Sequence, residues 1–492
     1  MAGASQILRA TDVLGDKLRV SAAGRDIVAL WNLACARCNP IVAITTVWAA
    51  VALPLVWLRS FGSDEGLAVS IARTAVEDGY WITPHFFNVR VIERPALLSW
   101  IIAAVSEPFG HVSQVTAHLP IALFLLLGCL LIYFLLRKLA ASVPASLLGS
   151  IAFLACPLVM RSYVMVTADM PLAVLLFLAF VLWWDGFASG SISVSRWISV
   201  GIVLLLAGLM KGPQPIAYFA LGIGLFVLIG RRWRQLPGLA LACAICAIPL
   251  AAWYAYVYVP GDETSWANFM RVQPAVQLAG PIEAVVRLFF EVLPAALIAL
   301  SFLSSKQMRE KSFAQPAFPL ALACYAFTAT IVVLFWPGGS TARYYFPMVL
   351  PLCVFGGLAY DVVSKQRPLI AAINLVVTNV LIIYALVYSL VAAPLLPMRF
   401  RPTEIGAARI TPAIEAAPAP IYRVGVAGLN LLPYVPGRIL GTATLSELET
   451  IRGPAWMIVS GDQARVLLSQ RPNDLRLVMP VGEGDLQLLR LD

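Results

Sequence analysis

Apolar runs of about 20 residues recur from residue 41 to residue 392, and each is long enough as a helix to cross the ~30 Å hydrocarbon layer of a bilayer. Lipid offers backbone groups no hydrogen-bond partner, so repeated runs of this kind demand a bundle of helices. The pattern predicts about eleven spans, at 41–58, 115–137, 143–160, 168–184, 196–210, 213–230, 237–259, 282–304, 316–336, 343–361 and 367–392. Composition agrees. The chain is 60% hydrophobic and 12% charged, where soluble domains carry about 25% charged residues. The net charge of +9 does not point to nucleic acid, because the basic residues sit in short loops between spans, as the positive-inside rule expects.

The same charges orient the bundle. With the N-terminus inside, Arg137-Lys138, Arg231-Arg232-Trp233-Arg234, Lys306 to Lys311 and Lys365-Gln366-Arg367 all fall on the cytoplasmic side. Residues 59–114 and everything after 393 then lie outside. Residues 95–109 are apolar but too short to span, so they read as a juxtamembrane or re-entrant helix on the external face. Three regions follow: a cytoplasmic segment 1–40 without a cleavable signal pattern, a transmembrane domain 41–393, and an external α/β domain 394–492. The last begins with a linker containing Pro394, Pro397, Pro402, Pro412, Pro418 and Pro420. Short β-like runs, IYRVGVAG and AWMIVSG, follow, interleaved with helix-like ELETI and GDQARVLLSQ.

Candidate chemistry concentrates in the external loop from Arg59 to Gly110, which carries Asp64-Glu65 and Glu93-Arg94-Pro95. A hydrated interfacial pair is the plain account of the two adjacent acids; a catalytic base at the head of a long loop is the sharper one. Pro95 suits the first turn of a helix, where an anion is stabilised and Arg94 adds a planar cationic fork. Asp169 opens a span, where an N-cap role would explain it equally well. Lys211, in Lys211-Gly212-Pro213, joins two spans without a real loop. It either snorkels or reaches an outer cavity. Arg343, in Arg343-Tyr344-Tyr345, stands at an outer end against the charge bias and so calls for an anionic ligand, with Tyr345 beside it. Arg271 in the 260–281 loop is a weaker candidate of the same kind.

Other chemistries find little support. Cys35/Cys38 and Cys243/Cys246 have CxxC spacing, but the second pair lies inside an apolar run without the turn of a zinc knuckle, so buried thiols are the better account. His85, His111 and His118 lack metal-ligand spacing. No GxGxxG loop, P-loop or DxD pair is present, which argues against a soluble-type nucleotide-sugar transferase.

In order, the segments SDEGLAVSIARTAVEDGYWITPHF, ERPALLSWIIAAVSEPFG, HLPIALFLLLGCLLIYFLLRKL, TADMPLAVLLFLAF, GLMKGPQP, ARYYFPMVLPL and NLLPYVPGRI resemble the lipid-linked-sugar glycosyltransferases of the GT-C type. The group resembled is the bacterial protein-mannosyltransferase and aminoarabinose-transferase-like set. The resemblance implies lumenal or periplasmic transfer from a polyprenyl-phosphate sugar, here expected at the periplasmic face of a bacterial inner membrane, with Asp64 as catalytic residue and Arg94 near the donor phosphate. It places Asp169 and Arg343 in family motifs. Here Arg94 stands where the family has Lys, Ala96 where it has a second Pro, and His118 where Arg is common. A divalent metal at Glu93 is the one cofactor candidate, and no histidine follows His118 to complete such a site.

The chemistry suits these residues. The donor leaves as a phosphate monoester, so a base for the acceptor hydroxyl and cations for the growing phosphate charge suffice. Asp64, with Glu65 and Asp169 as further carboxylates, supplies the former. Arg94, Lys211, Arg343, Tyr345 and Arg271 supply the latter. The acceptor is a hydroxyl or phosphate of an envelope lipid, glycan or protein, and direct displacement inverts the anomeric carbon. The alternative is a transporter or flippase for a lipid-linked substrate, using the same cations without a base; it would favour repeated halves and broken helices, which are not seen.

Overall fold

The computed structural model describes residues 22–62, 65–92, 95–190, 192–258, 289–303, 317–334, 342–424, 428–437, 439–443, 451–482 and 485–492. The helices are α1 (residues 22–37), α2 (Pro40–Leu58), α3 (Glu65–Asp78), α4 (Leu97–Ser106), α5 (Gln114–Lys138), α6 (Val143–Ala155), α7 (Asp169–Ala188) and α8 (Val194–Lys211). They continue as α9 (Gln214–Ile229), α10 (Leu236–Val257), α11 (Ala295–Leu303), α12 (Ala317–Leu334), α13 (Phe346–Gln366), α14 (Pro368–Val387), α15 (Pro402–Ala416) and α16 (Gly461–Gln470).

Among the described residues seven helical stretches are long and apolar enough to cross a membrane, and the chain is an integral membrane protein. Shorter apolar helices occupy 143–155, 214–229 and 317–332. The span expected at 143–160 is broken. Cys156 precedes a proline and is extended, so α6 ends at Ala155 and a separate turn, Pro157–Met160, follows. Residues 282–288 of the span expected at 282–304 lie outside the described residues, as do Lys306 to Lys311 and most of ELETI; the described remainder holds α11. The apolar stretch after Pro95 is α-helical over ten residues, Leu97–Ser106, with a 3₁₀ turn over Glu107–Phe109, about 20 Å in all and too short to cross.

Local signals explain several boundaries. Asn39 Oδ1 accepts from Ile41 N–H at 3.0 Å, and Ser113 with Thr116 forms a capping box at the start of α5. On α8, Trp197, Val200, Leu204 and Ala207 are buried while Ile198, Ile202 and Leu206 face outward, the spacing of a helix with one protein face and one lipid face. Polar side chains tie helices together inside the bundle. Trp48 Nε1 donates to the Ala122 carbonyl at 2.7 Å, and Ser150 Oγ to that of Cys129 at 3.0 Å.

A hairpin, β1 (His85–Phe86) with β2 (Val89–Arg90), lies in the loop after α3. The C-terminal strands β3 (Ile421–Val424), β4 (Ile439–Ala443), β5 (Ala455–Ser460), β6 (Leu475–Pro480) and β7 (Leu486–Leu491) form one sheet in the order β4-β3-β5-β7-β6. β3 runs parallel to β4 and β5, and β7 runs antiparallel to β5 and β6. Ala407, Ile410 and Ile414 of α15 cover one face against Ile421, Trp456 and Ile458; Ala464 and Leu467 of α16 cover the other against Met457 and Val459. This explains why β5 reads as an unbroken apolar run.

The C-terminal region that carries the sheet is docked onto the start of the 59–114 loop. Ser60 N–H donates to the Phe400 carbonyl at 2.9 Å, Phe61 N–H to Tyr434 Oη at 3.1 Å, and Arg73 Nη1 to the Val435 carbonyl at 2.9 Å. Gly66 allows α3 to touch the sheet's first connection, since a Cβ there would sit 2.0 Å from the Leu429 carbonyl oxygen. Gly66→Ala is therefore expected to cost ~1–3 kcal/mol through overpacking, read as a lower thermal-unfolding midpoint of the purified protein. An unchanged midpoint would show that this contact yields freely.

Candidate active site

Five segments meet in a cleft of about 80 Å³. Leu67, Ala68 and Ile71 come from α3, and Pro95, Ala96 and Ser99 from the approach to α4 and its first turn. The end of α8 contributes Lys211, the start of α7 contributes Thr167 to Asp169, and the turn before α13 contributes Arg343 and Tyr344. Ser99 Oγ donates to the Ala68 carbonyl at 2.8 Å and holds α4 against α3.

The polar end of the cleft is ionic. Lys211 Nζ bonds Asp169 Oδ1, and Arg343 Nε lies 3.1 Å from Asp169 Oδ2. The Lys211 ammonium also sits 4.0 Å from the centre of the Tyr344 ring, a cation–π contact. Asp169 and Lys211 side chains are only 6% and 10% exposed. Local chain geometry delivers Lys211 to this place. Gly212, at φ 82° and ψ −150°, adopts a conformation open to glycine alone, so α8 stops and α9 starts within three residues. Asp169 stands in the first turn of α7 but makes no capping bond; each carboxylate oxygen is committed to a cation instead. Among the described residues two cations thus share one carboxylate, an arrangement that receives an anion.

Glu65 is elsewhere. Its side chain is fully buried and absent from the cleft wall. Arg59 grips it in bidentate fashion, Nη1 to Oε1 at 2.9 Å and Nη2 to Oε2 at 2.8 Å, while the backbone N–H groups of Gly62 and Val166 donate to the same two oxygens. Burial alone would push the carboxyl up, but the Arg59 guanidinium outweighs it and holds Glu65 below the usual carboxylate range. With every acceptor direction filled, Glu65 knots the end of α2 and the start of α3 to the chain that carries Thr167 to Asp169 into the cleft.

Tyr345 is buried, and it is Tyr344 that lines the cleft. Residues Ala342–Tyr345 form a 3₁₀ turn, in which neighbours point about 120° apart. Asp64, Glu93, Arg94 and Arg271 lie outside the described residues. Among the described residues no group of three or more His, Cys, Asp or Glu is placed to hold a metal. Cys35 is buried and Cys38 exposed, and His118 is buried against Phe61, its Nδ1 3.1 Å from the Val56 carbonyl. Sequence reasoning missed Arg59. The signal that singled out Arg343, a cation at the end of a span expected to face outward, applies to it equally.

Residues 93–256 match the sequence profile of the family described as dolichyl-phosphate-mannose-protein mannosyltransferase. The undecaprenyl phosphate-alpha-4-amino-4-deoxy-L-arabinose arabinosyl transferase of Enterobacter sp. (strain 638) is 25% identical over 224 residues, 45% of this chain and 40% of that protein. The protein of the same description from Pseudomonas aeruginosa (strain UCBPP-PA14) is 23% identical over 301 residues, 60% of this chain and 55% of that protein. The chain thus spans about half the length of the relatives it matches. In three dimensions it is similar to the crystal structure of ArnT from Cupriavidus metallidurans bound to undecaprenyl phosphate. The TM-score is 0.70 at 19% identity, covering 92% of this chain and 97% of that one. The resemblance read from the motifs is met by a family profile, by relatives and by a shared GT-C fold.

Proposed function

We propose that the protein is a membrane glycosyltransferase that moves a sugar from a polyprenyl-phosphate donor to a hydroxyl or phosphate of an envelope lipid, glycan or protein, on the periplasmic face of a bacterial inner membrane. The observation that carries this reading is the Lys211–Asp169–Arg343 cluster, a cationic pocket wall where α7 and α13 begin and α8 ends. The relatives' names and the undecaprenyl phosphate bound to ArnT support a lipid-linked donor. About eleven spans with the N-terminus inside, a membrane domain over 41–393 and an external domain over 394–492 complete the proposal.

In this mechanism the acceptor oxygen attacks the anomeric carbon and passes its proton to Asp64. The bond from that carbon to the phosphate oxygen breaks, its electron pair stays on the phosphate, and polyprenyl phosphate departs with inversion at carbon. Lys211 and Arg343 offset the charge that grows on the leaving phosphate, with Arg94 and Arg271 as further cations. Asp169 holds Lys211 and Arg343 in place, Tyr344 backs the ammonium, and Glu65 positions the wall. A transporter or flippase would need the cations and no base.

Transfer from a radiolabelled polyprenyl-phosphate sugar to a membrane extract tests this. Lys211→Met and Arg343→Met are each expected to lower the rate ~10²–10³-fold, as for loss of one transition-state donor, while the protein stays folded. Folded variants that transfer at half the wild-type rate or better would put the phosphate elsewhere. A wild-type protein that moves the labelled lipid across a vesicle wall and forms no product would favour the transporter.

A further inference from the structure

A second cavity lies at the far end of α7 from Asp169, about 30 Å along a helix of 20 residues. It measures about 900 Å³ and is lined by Trp184 and Phe187 of α7 and by Arg231, Arg232, Trp233 and Arg234 from the turn between α9 and α10. It is far larger than the cleft at Asp169 and shares no residue with it.

Among the described residues the charge here is unbalanced in a way its surroundings are not. Lys138 and Arg196, at the same end of the bundle, both pair with Asp185, Arg196 at 2.9 Å. Among the described residues no carboxylate pairs with Arg231, Arg232 or Arg234; Arg232 instead lies 5.8 Å from the centre of the Phe187 ring. Arg231 is held at φ 51°, in the left-handed region that side chains avoid. Beside the arginines the surface turns apolar at once. Leu228, Ile229 and Leu236 are 57%, 54% and 42% exposed, and Trp233 is 53% exposed between them. Tryptophan at such a junction marks the headgroup level of a bilayer.

We propose that this cavity binds the phosphodiester headgroup of an anionic diacyl phospholipid, whose chains lie along Leu228, Ile229 and Leu236. Guanidinium forks match phosphate oxygens two at a time, and a basic pocket at the end of a helical bundle suits such headgroups. A soluble anion would use the arginines but leave the adjoining apolar face without a role. The inference is independent of the reaction assigned to the other end.

The full chain, reconstituted in nanodiscs of equal phosphatidylglycerol and phosphatidylcholine and released for native mass spectrometry, tests this. The wild type is expected to retain phosphatidylglycerol ~10-fold or more over phosphatidylcholine. R231Q/R232Q/R234Q should reduce the preference to within about twofold. R231K/R232K/R234K, which keeps the charge and loses the fork, should fall between, and it answers the question if the glutamine variant does not fold. K138Q/R196Q should keep the wild-type preference. Equal retention by the wild type and the glutamine variant overturns the proposal. So does loss of preference in K138Q/R196Q, which would make it a general charge effect. Displacement of the lipid by millimolar inorganic phosphate also overturns it, in favour of a soluble anion.

Discussion

Glutamine in place of Glu65 is expected to destabilise the protein by ~3–5 kcal/mol, the cost of leaving a buried guanidinium without its carboxylate. The Arg59 and Glu65 side chains are 19% and 0% exposed, so solvent cannot compensate. Removing both charges, as in R59L/E65L, should cost less than E65Q alone, because no unpaired ion remains. It should not be neutral, since the N–H groups of Gly62 and Val166 also lose their acceptor. Thermal unfolding of the purified variants measures this. A double variant worse than the single would refute the buried-pair account. The pH dependence has a definite sign. The folded carboxyl sits below its ordinary value of 4.5, so the pair stabilises the fold fully above that pH. The contribution is lost as pH falls from there through the folded pKa. Transfer per folded molecule should stay within about tenfold in E65Q, since Glu65 does not line the cleft; a ~10²-fold loss at an unchanged midpoint would make it part of the chemistry.

Asp64→Asn should have the opposite profile. If Asp64 is the base, asparagine keeps the size and hydrogen bonding and removes the proton acceptor. The expected cost is ~10²–10⁴-fold in kcat, roughly 3–5 kcal/mol of barrier, at an unchanged unfolding midpoint. Donor binding should persist, because the proposed phosphate contacts are those of Lys211 and Arg343. Near wild-type transfer by a folded Asp64→Asn protein would remove Asp64 from the mechanism.

Hydrophobic period made much of the molecule legible in advance. Apolar runs near 20 residues specify bilayer-spanning helices without reference to the rest of the chain, because the lipid itself enforces internal hydrogen bonding. The expectation that Lys211 and Arg343, each a cation at a span's end, share one cavity is met by the cleft that both line. Sequence pattern also picked out IYRV and AWMIVS, whose β-branched and aromatic content suits a buried strand. What sequence could not settle was the division of labour among neighbours. Glu65 is enclosed because Val166, 101 residues away, and Arg59 at the end of another helix close around it. Asp169 is a counter-ion rather than a cap because α8 ends 42 residues later within reach of it. Tyr344 and not Tyr345 meets the cleft because a 3₁₀ turn sends adjacent side chains in different directions. Helix formation is governed by local pattern and solvent, and so is written in single segments. The protonation and partner of a buried charge depend on which distant groups replace its water, and only the folded chain brings those together.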